Sequence, residues 1–71
     1  MQEEEQRHRC EVTEWIRRRA AMPVERGKTW LRGVLKDIER IRGKQAAERL
    51  TNDILGQWKK GNRGAPGDWR S

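Results

Sequence analysis

Basic side chains at a four-residue spacing are the first feature of this 71-residue sequence that indicates a chemistry. Lys28, Arg32 and Lys36 recur at i, i+4 and i+8, which places them along one face of a helix. Such a row of cations is suited to contacting the phosphates of a nucleic acid. The alternative is a solvated surface, because Glu25 and Glu39 each lie three positions from a lysine of the row and are expected to pair with it.

A second basic group consists of three consecutive arginines, Arg17, Arg18 and Arg19. Arg17 and Arg18 are expected to add phosphate contacts. Arg19 falls close to the apolar face of its own helix, so we expect its stem to lie along the core with its charged head in water. Residues 15–32 hold six bases and one acid, whereas residues 1–14 hold five acids and two bases. This distribution places a positive field in the middle of the chain.

Polar residues on the third predicted helix offer base-reading chemistry. Gln45, Arg49 and Asn52 lie on its polar face, and their side chains have the donors and acceptors that read adenine and guanine edges. With the preceding helix they would form a helix-turn-helix. A plain antiparallel helical hairpin with ordinary surface residues predicts the same pattern, and both interpretations stay open.

The Gly/Pro-rich tail, residues 62–71, combines two arginines with one tryptophan. Arg63, Trp69 and Arg70 would suit stacking and phosphate contacts to unpaired bases. In the alternative, Pro66 and the glycines turn the chain so that Trp69 folds back and covers the core.

Metal and catalytic chemistry have little support in the sequence. His8 and Cys10 are the single histidine and the single cysteine, whereas a structural zinc site needs four ligands. No nucleophile with its base, no Gly-rich phosphate loop and no convincing carboxylate pair is present. We expect no catalytic residues, no metal, no cofactor and no enzymatic activity.

Apolar residues at helical spacing predict an all-α, compact three-helix domain with helices at about 3–21, 24–42 and 44–60. Pro23 and Gly43 mark the boundaries between them. Gly56 inside the third helix is expected to mark close helix packing. The residues expected to face the core are Val12, Trp15, Ile16 and Ala20 in the first helix, Gly27, Leu31, Val34, Ile38 and Ile41 in the second, and Ala46, Ala47, Leu50, Ile54 and Trp58 in the third.

The length predicts one helical domain, residues 1–61, followed by the tail. Because Gly27, Val34 and Ile41 are seven residues apart, two copies could share this stripe as a homodimer. With 39% charged residues and a net charge of +6, the chain has no apolar run that would span a membrane. Its first residues do not form a secretory signal, so we expect a cytoplasmic location and no membrane partner.

Three C-terminal segments carry a resemblance to a known group of proteins. The residues are Ala46–Leu50, Gln57–Gly64 and Gly67–Arg70. They resemble short uncharacterised proteins carried by phages and prophages. The resemblance implies a host-cell cytoplasm as the setting and a stoichiometric binder, acting on nucleic acid or on a host protein such as a defence complex.

The sequence thus favours a small, basic, non-enzymatic helical protein that binds nucleic acid through a lysine- and arginine-rich face. One alternative is a phage-encoded inhibitor or adaptor that binds an acidic host protein, and another is a structural homodimer. The residues expected to contact the nucleic acid or the acidic partner are Arg17, Arg18, Lys28, Arg32, Lys36, Gln45, Arg49, Asn52, Arg63, Trp69 and Arg70.

Overall fold

Three α-helices make up most of the fold. A computed structural model describes residues 2–71, and their side chains from residue 3 onward. Helix α1 spans Gln2–Ala20, α2 spans Val24–Arg42 and α3 spans Lys44–Lys59, and the described residues contain no strand. These helices confirm the prediction of an all-α three-helix domain. The prediction was possible because the spacing of apolar residues that defines a helical face is a local property of the sequence. Among the described residues, no helix has the length and apolar composition needed to span a membrane.

The two helix connections are short and follow from single residues. Pro23 precedes α2 with φ −55° and ψ 149°, outside the helical region, and its carbonyl accepts a hydrogen bond from the Gly27 N–H at 2.8 Å. Gly43 alone separates α2 from α3. Its φ of 97° suits glycine, its N–H donates to the Glu39 carbonyl at 2.9 Å, and its carbonyl accepts from the Ala47 N–H at 3.2 Å. Gly43 is therefore both the C-cap of α2 and the N-cap of α3.

The core is a thin layer contributed by all three helices. Its fully or nearly buried residues are Val12, Ile16, Leu31, Ile38, Ala47, Leu50 and Ile54. Four tryptophans pack around this layer and are only partly buried. The Cα atoms extend over 35 × 29 × 15 Å, so the short dimension leaves little depth in which a large ring can be fully covered.

Two residues predicted to face the core are exposed to solvent. Ala20 is the last residue of α1, and the expectation that it belongs to the core is wrong. Ile41 is 77% exposed, whereas Leu31 and Ile38 are buried. At about 100° per residue, Ile41 lies roughly 60° around the helix axis from Ile38, in the last turn before the chain reverses at Gly43. The expectation that Ile41 belongs to the core is therefore wrong.

Close helix packing occurs at a different glycine from the one expected. A methyl group at Gly56 would meet nothing within 4 Å, so the expectation of close packing there is wrong. At Gly27 the same methyl group would lie 3.2 Å from both the Cγ atom and the carbonyl oxygen of Arg19. The end of α1 thus approaches the start of α2 at Gly27.

The C-terminal residues are held by a buried amide network. Asn62 is fully buried and Gln57 is 4% exposed. The Asn62 side chain donates to Gln57 Oε1 at 2.9 Å and accepts from the Gly64 N–H at 2.8 Å. Gln57 in turn donates to the Arg70 carbonyl at 2.6 Å and accepts from the Arg70 N–H at 2.9 Å. These bonds bring Trp69 against the core, where it is partly buried.

Candidate anion-binding face

The row Lys28, Arg32 and Lys36 is exposed on α2. None of its three side chains lies within ion-pair distance of a carboxylate in residues 2–71. The expected pairs of Glu25 with Lys28 and of Glu39 with Lys36 do not form. Exposed pairs gain little energy and restrict two long side chains, so a spacing of three residues does not ensure an ion pair. No carboxylate in residues 2–71 therefore offsets the three positive charges of the row.

Several other predicted contact residues pair with carboxylates. Arg17 and Arg18 both pair with Glu14, the latter at 2.9 Å, and their hydrogen bonds and charges lower the pKa of Glu14, the bond from Arg18 most strongly. Arg49 lies 3.5 Å from Glu5.

Arg70 also pairs with a carboxylate. Its Nε lies 3.2 Å from Asp68, and its Nη1 also donates to the Lys60 carbonyl at 2.7 Å. Its main role is therefore to hold the tail.

The predicted base-reading residues lie apart from the α2 row. Gln45 and Asn52 are exposed on the face of α3 opposite its buried residues. Arg49 lines a different depression, together with Glu4, Arg7, His8, Glu11 and Arg42. The single residue between α2 and α3 is also shorter than the three- to four-residue turn of a helix-turn-helix. The geometry thus does not bring Gln45, Arg49 and Asn52 to one surface with Lys28 and Arg32.

Two adjoining depressions share Arg19 and Lys28. The first, of about 550 Å³, is lined by these two residues and by Ala20, Met22, Val24, Trp58 and Arg63. The second, of about 310 Å³, adds Leu31, Arg32, Leu35 and Leu55. Among the residues that the structure describes, no carboxylate lines either one. We call the two together the basic groove, with Arg19, Lys28, Arg32 and Arg63 as its cations.

Trp58 holds two of these cations. The guanidinium carbons of Arg19 and Arg63 lie 4.2 and 3.8 Å from the centroid of its ring. A cation within about 6 Å of an aromatic centroid is attracted by the ring quadrupole. Arg63 is fixed further, because its Nη1 donates to the carbonyls of Trp58 at 2.8 Å and of Asn62 at 3.1 Å.

Arg19 is the least exposed cation of the groove. Only 8% of the residue is exposed, and its guanidinium makes no ion pair and donates no hydrogen bond within residues 2–71. Burial lowers its pKa, and the charge of Arg63 lowers it further. Its stem packs over Gly27, as its position beside the apolar face of α1 predicts. Arg19 and Trp58 were not among the predicted contact residues. Both lie on or beside the apolar face of their helix, and that position predicts a place at the core instead of a ligand contact.

Trp69 and the remaining polar residues make internal contacts. The guanidinium of Arg9 lies 5.1 Å from the centroid of the half-buried Trp69. His8 bonds to Asp53 through its Nε2, and Cys10 is exposed and free. Within residues 2–71, no group of three or more His, Cys, Asp or Glu side chains is placed to hold a metal ion.

Comparison with known proteins identifies a family. Neither the curated proteins nor the solved structures give a match. A family model described as a family of unknown function, DUF7696, matches residues 1–61, which include all three helices and the groove residues Arg19, Lys28, Arg32 and Trp58. The resemblance to phage-borne proteins stays a prediction. Since the match covers most of its length, the chain belongs to the family DUF7696.

Proposed function

We propose that this protein binds nucleic acid through the phosphate backbone, using the basic groove and the neighbouring Lys36. The observation that carries the proposal is the unequal pairing of the cations. Within residues 2–71, Lys28, Arg32 and Lys36 have no carboxylate partner, whereas Arg17, Arg18 and Arg49 each pair with one. Unpaired cations on one face are the groups that release counterions from nucleic acid on binding.

The spacing of the row supports contact with several phosphates. Residues four apart on a helix are separated by about 6 Å along its axis, so the row spans about 12 Å. Phosphates follow one another every 3.4 Å or so along the axis for each strand, which puts several of them within reach of the row. Because the base-reading candidates lie elsewhere, we propose binding that is independent of base sequence.

The test is a salt titration of a labelled random-sequence duplex and of the matching single strand. If Arg19, Lys28, Arg32, Lys36 and Arg63 all contact phosphates, log K for the duplex should fall with log salt at a slope of about −4.5. The double variant Lys28→Gln/Arg32→Gln should reduce the magnitude of this slope by about 1.8. Wild-type binding that does not change with salt, or no binding at low salt, would refute the proposal.

The matched control is Arg7→Gln/Lys44→Gln. It removes the same charge from two exposed residues on α1 and α3, neither of which lines the groove. We expect a slope close to that of the wild type. An equal reduction in both double variants would mean that net charge, and not the groove, determines binding.

The second candidate function is binding to an acidic host protein, as an inhibitor or adaptor. Two large apolar residues lie at the groove, Val24 with 69% of its surface exposed and Leu55 with 49%. Exposed apolar side chains beside cations suit a protein surface better than a phosphate backbone. In titrations with an acidic peptide, Leu55→Ser should weaken binding if this candidate is correct, and it should leave the salt slope for nucleic acid unchanged.

A further inference from the structure

The 550 Å³ depression beside Trp58 differs from the rest of the basic face because its cations converge in a recess. We infer that this depression binds a terminal phosphate monoester, carried by a nucleic-acid strand end or by a free nucleotide. The inference rests on the proposed function, which it narrows to a chemical class of ligand.

Arg19 is the unpaired cation. It is 8% exposed, lines the depression, and has no carboxylate or hydrogen-bond acceptor for its guanidinium within residues 2–71. The guanidinium nitrogens of Arg19 remain accessible at the depression, so an anion there can accept their hydrogen bonds. A guanidinium also presents two parallel N–H donors that match two oxygens of one phosphate.

The total charge favours a dianion over a monoanion. Arg19, Lys28 and Arg63 contribute three positive charges to a lining that contains no carboxylate. A phosphodiester within a strand carries one negative charge, whereas a phosphate monoester carries about 1.5 to 2 at pH 7. The monoester therefore gains more from the same three cations and offers three terminal oxygens to their donors.

The geometry of these cations is maintained by the fold. Trp58 holds the guanidiniums of Arg19 and Arg63 beside one ring. Arg63 directly follows the fully buried Asn62, whose two side-chain hydrogen bonds anchor the backbone there. Trp58 and Asn62 are thus positioning residues, and the site is in place before any ligand arrives.

Apolar side chains complete the lining of the depression. Ala20, Met22 and Val24 line the same depression, which is within the range of about 300 to 1,000 Å³ usual for small-molecule sites. These side chains offer contacts to the sugar and base that carry the phosphate. Because Arg19 and Lys28 also line the second depression, a strand anchored by its end would continue towards Arg32.

The experiment compares two single-stranded oligonucleotides of identical sequence, one with a 5′-phosphate and one with a 5′-hydroxyl. We expect the phosphorylated strand to bind wild-type protein roughly tenfold to a hundredfold more tightly at the same salt. Arg63→Gln should reduce this preference below about twofold by removing one of the three cations. Arg40→Gln, which removes an exposed charge outside the groove, should retain it.

Because loss of buried Arg19 would impair folding, the second variant is Arg19→Lys. It keeps the charge and loses the paired donors, so we expect a smaller preference for the phosphorylated strand in a protein whose thermal unfolding is otherwise normal. Retention of the full preference in both Arg63→Gln and Arg19→Lys would overturn the assignment of the site.

Competition with adenosine 5′-monophosphate identifies the source of the phosphate, with adenosine as the control. Displacement by the monophosphate at a comparable concentration points to a free nucleotide, and displacement only at a far higher concentration points to a strand end. Both outcomes support a monoester site. Equal binding of the two strands, with no effect of the monophosphate, overturns the inference while leaving salt-dependent binding intact. Failure of the proposed function would instead appear as no binding of either strand.

Discussion

Asn62 shows how much one side chain contributes to this small protein. Its amide is fully buried and satisfies both Gln57 and the Gly64 N–H. Asn62→Ala would leave the Gly64 N–H without its acceptor in the interior and would leave Gln57 Oε1 with the Arg70 N–H as its remaining donor, and we expect the free energy of unfolding to fall by about 2 to 3 kcal/mol. Urea unfolding followed by circular dichroism measures this change.

Asn52→Ala is the matched control for that substitution. Asn52 is exposed on α3 and its side chain has no hydrogen-bond partner within residues 2–71. The same chemical change there should alter the free energy of unfolding by no more than about 0.5 kcal/mol. Similar losses in the two variants would mean that the buried amide network does not stabilise the fold.

The contact between Arg19 and Trp58 cannot be predicted from the position of either residue in its own helix. Each falls on the apolar face of its helix and is therefore expected in or near the core. Their joint role depends on a contact between residues 39 positions apart, with the guanidinium carbon 4.2 Å from the ring centroid. No local spacing indicates such a contact.

Within α3, Gly56 lowers the stability of the helix without a packing benefit. It lies inside the helix, and an added methyl group would meet no atom within 4 Å. Gly56→Ala should therefore raise the free energy of unfolding by about 1 kcal/mol, because alanine loses less backbone entropy than glycine on helix formation. Thermal and urea unfolding of the variant test this. A loss of stability would indicate that another group needs the space beside Gly56.

Helices α1 and α2 are connected by the ion pair of Glu11 with Arg42, at 2.9 Å. The hydrogen bond and charge of Arg42 hold the pKa of Glu11 below its ordinary value of 4.5. A carboxyl group whose pKa is lowered by folding stabilises the folded state above its unfolded pKa. That contribution is lost as the pH falls through the folded pKa.

We therefore expect Glu11→Gln to cost about 0.5 to 1 kcal/mol at pH 7, a value limited by the half-exposed Arg42. At a pH below the titration of Glu11, the variant and the wild type should have the same stability. Glu48→Gln, at an exposed carboxylate of α3 outside any ion pair of residues 2–71, should be nearly neutral at both pH values. A cost for Glu11→Gln that does not depend on pH would contradict this account.

For the molecule as a whole, the thin core bears on the oligomeric state. The stripe that a homodimer would share is already used inside the fold, where Leu31 and Ile38 pack with α1 and α3, and Ile41 alone of that stripe is largely exposed. We expect a sedimentation mass of 8.4 kDa and a melting temperature that does not change with protein concentration. Twice that mass, with concentration-dependent melting, would favour the homodimer and place Ile41 at its interface.

The sequence by itself determined the three helices, their boundaries and most of the buried residues. These properties follow from local rules: apolar residues at steps of three and four define a face, the residue before Pro23 avoids the helical conformation, and Gly43 follows directly after the last apolar positions of the α2 stripe. The row Lys28, Arg32 and Lys36 was identified for the same reason, because residues four apart share a face of any helix.

Only the tertiary structure decided which cations remain unpaired and which of them converge. Arg49 meets Glu5 across 44 residues, and Arg19 and Arg63 meet at Trp58 through the docking of α1, α3 and the tail. Such contacts depend on how the helices cross, and periodicity within one helix carries no information about the crossing. The exposed Ile41 and the open space beside Gly56 have the same origin, since the neighbouring helix determines whether a position is covered.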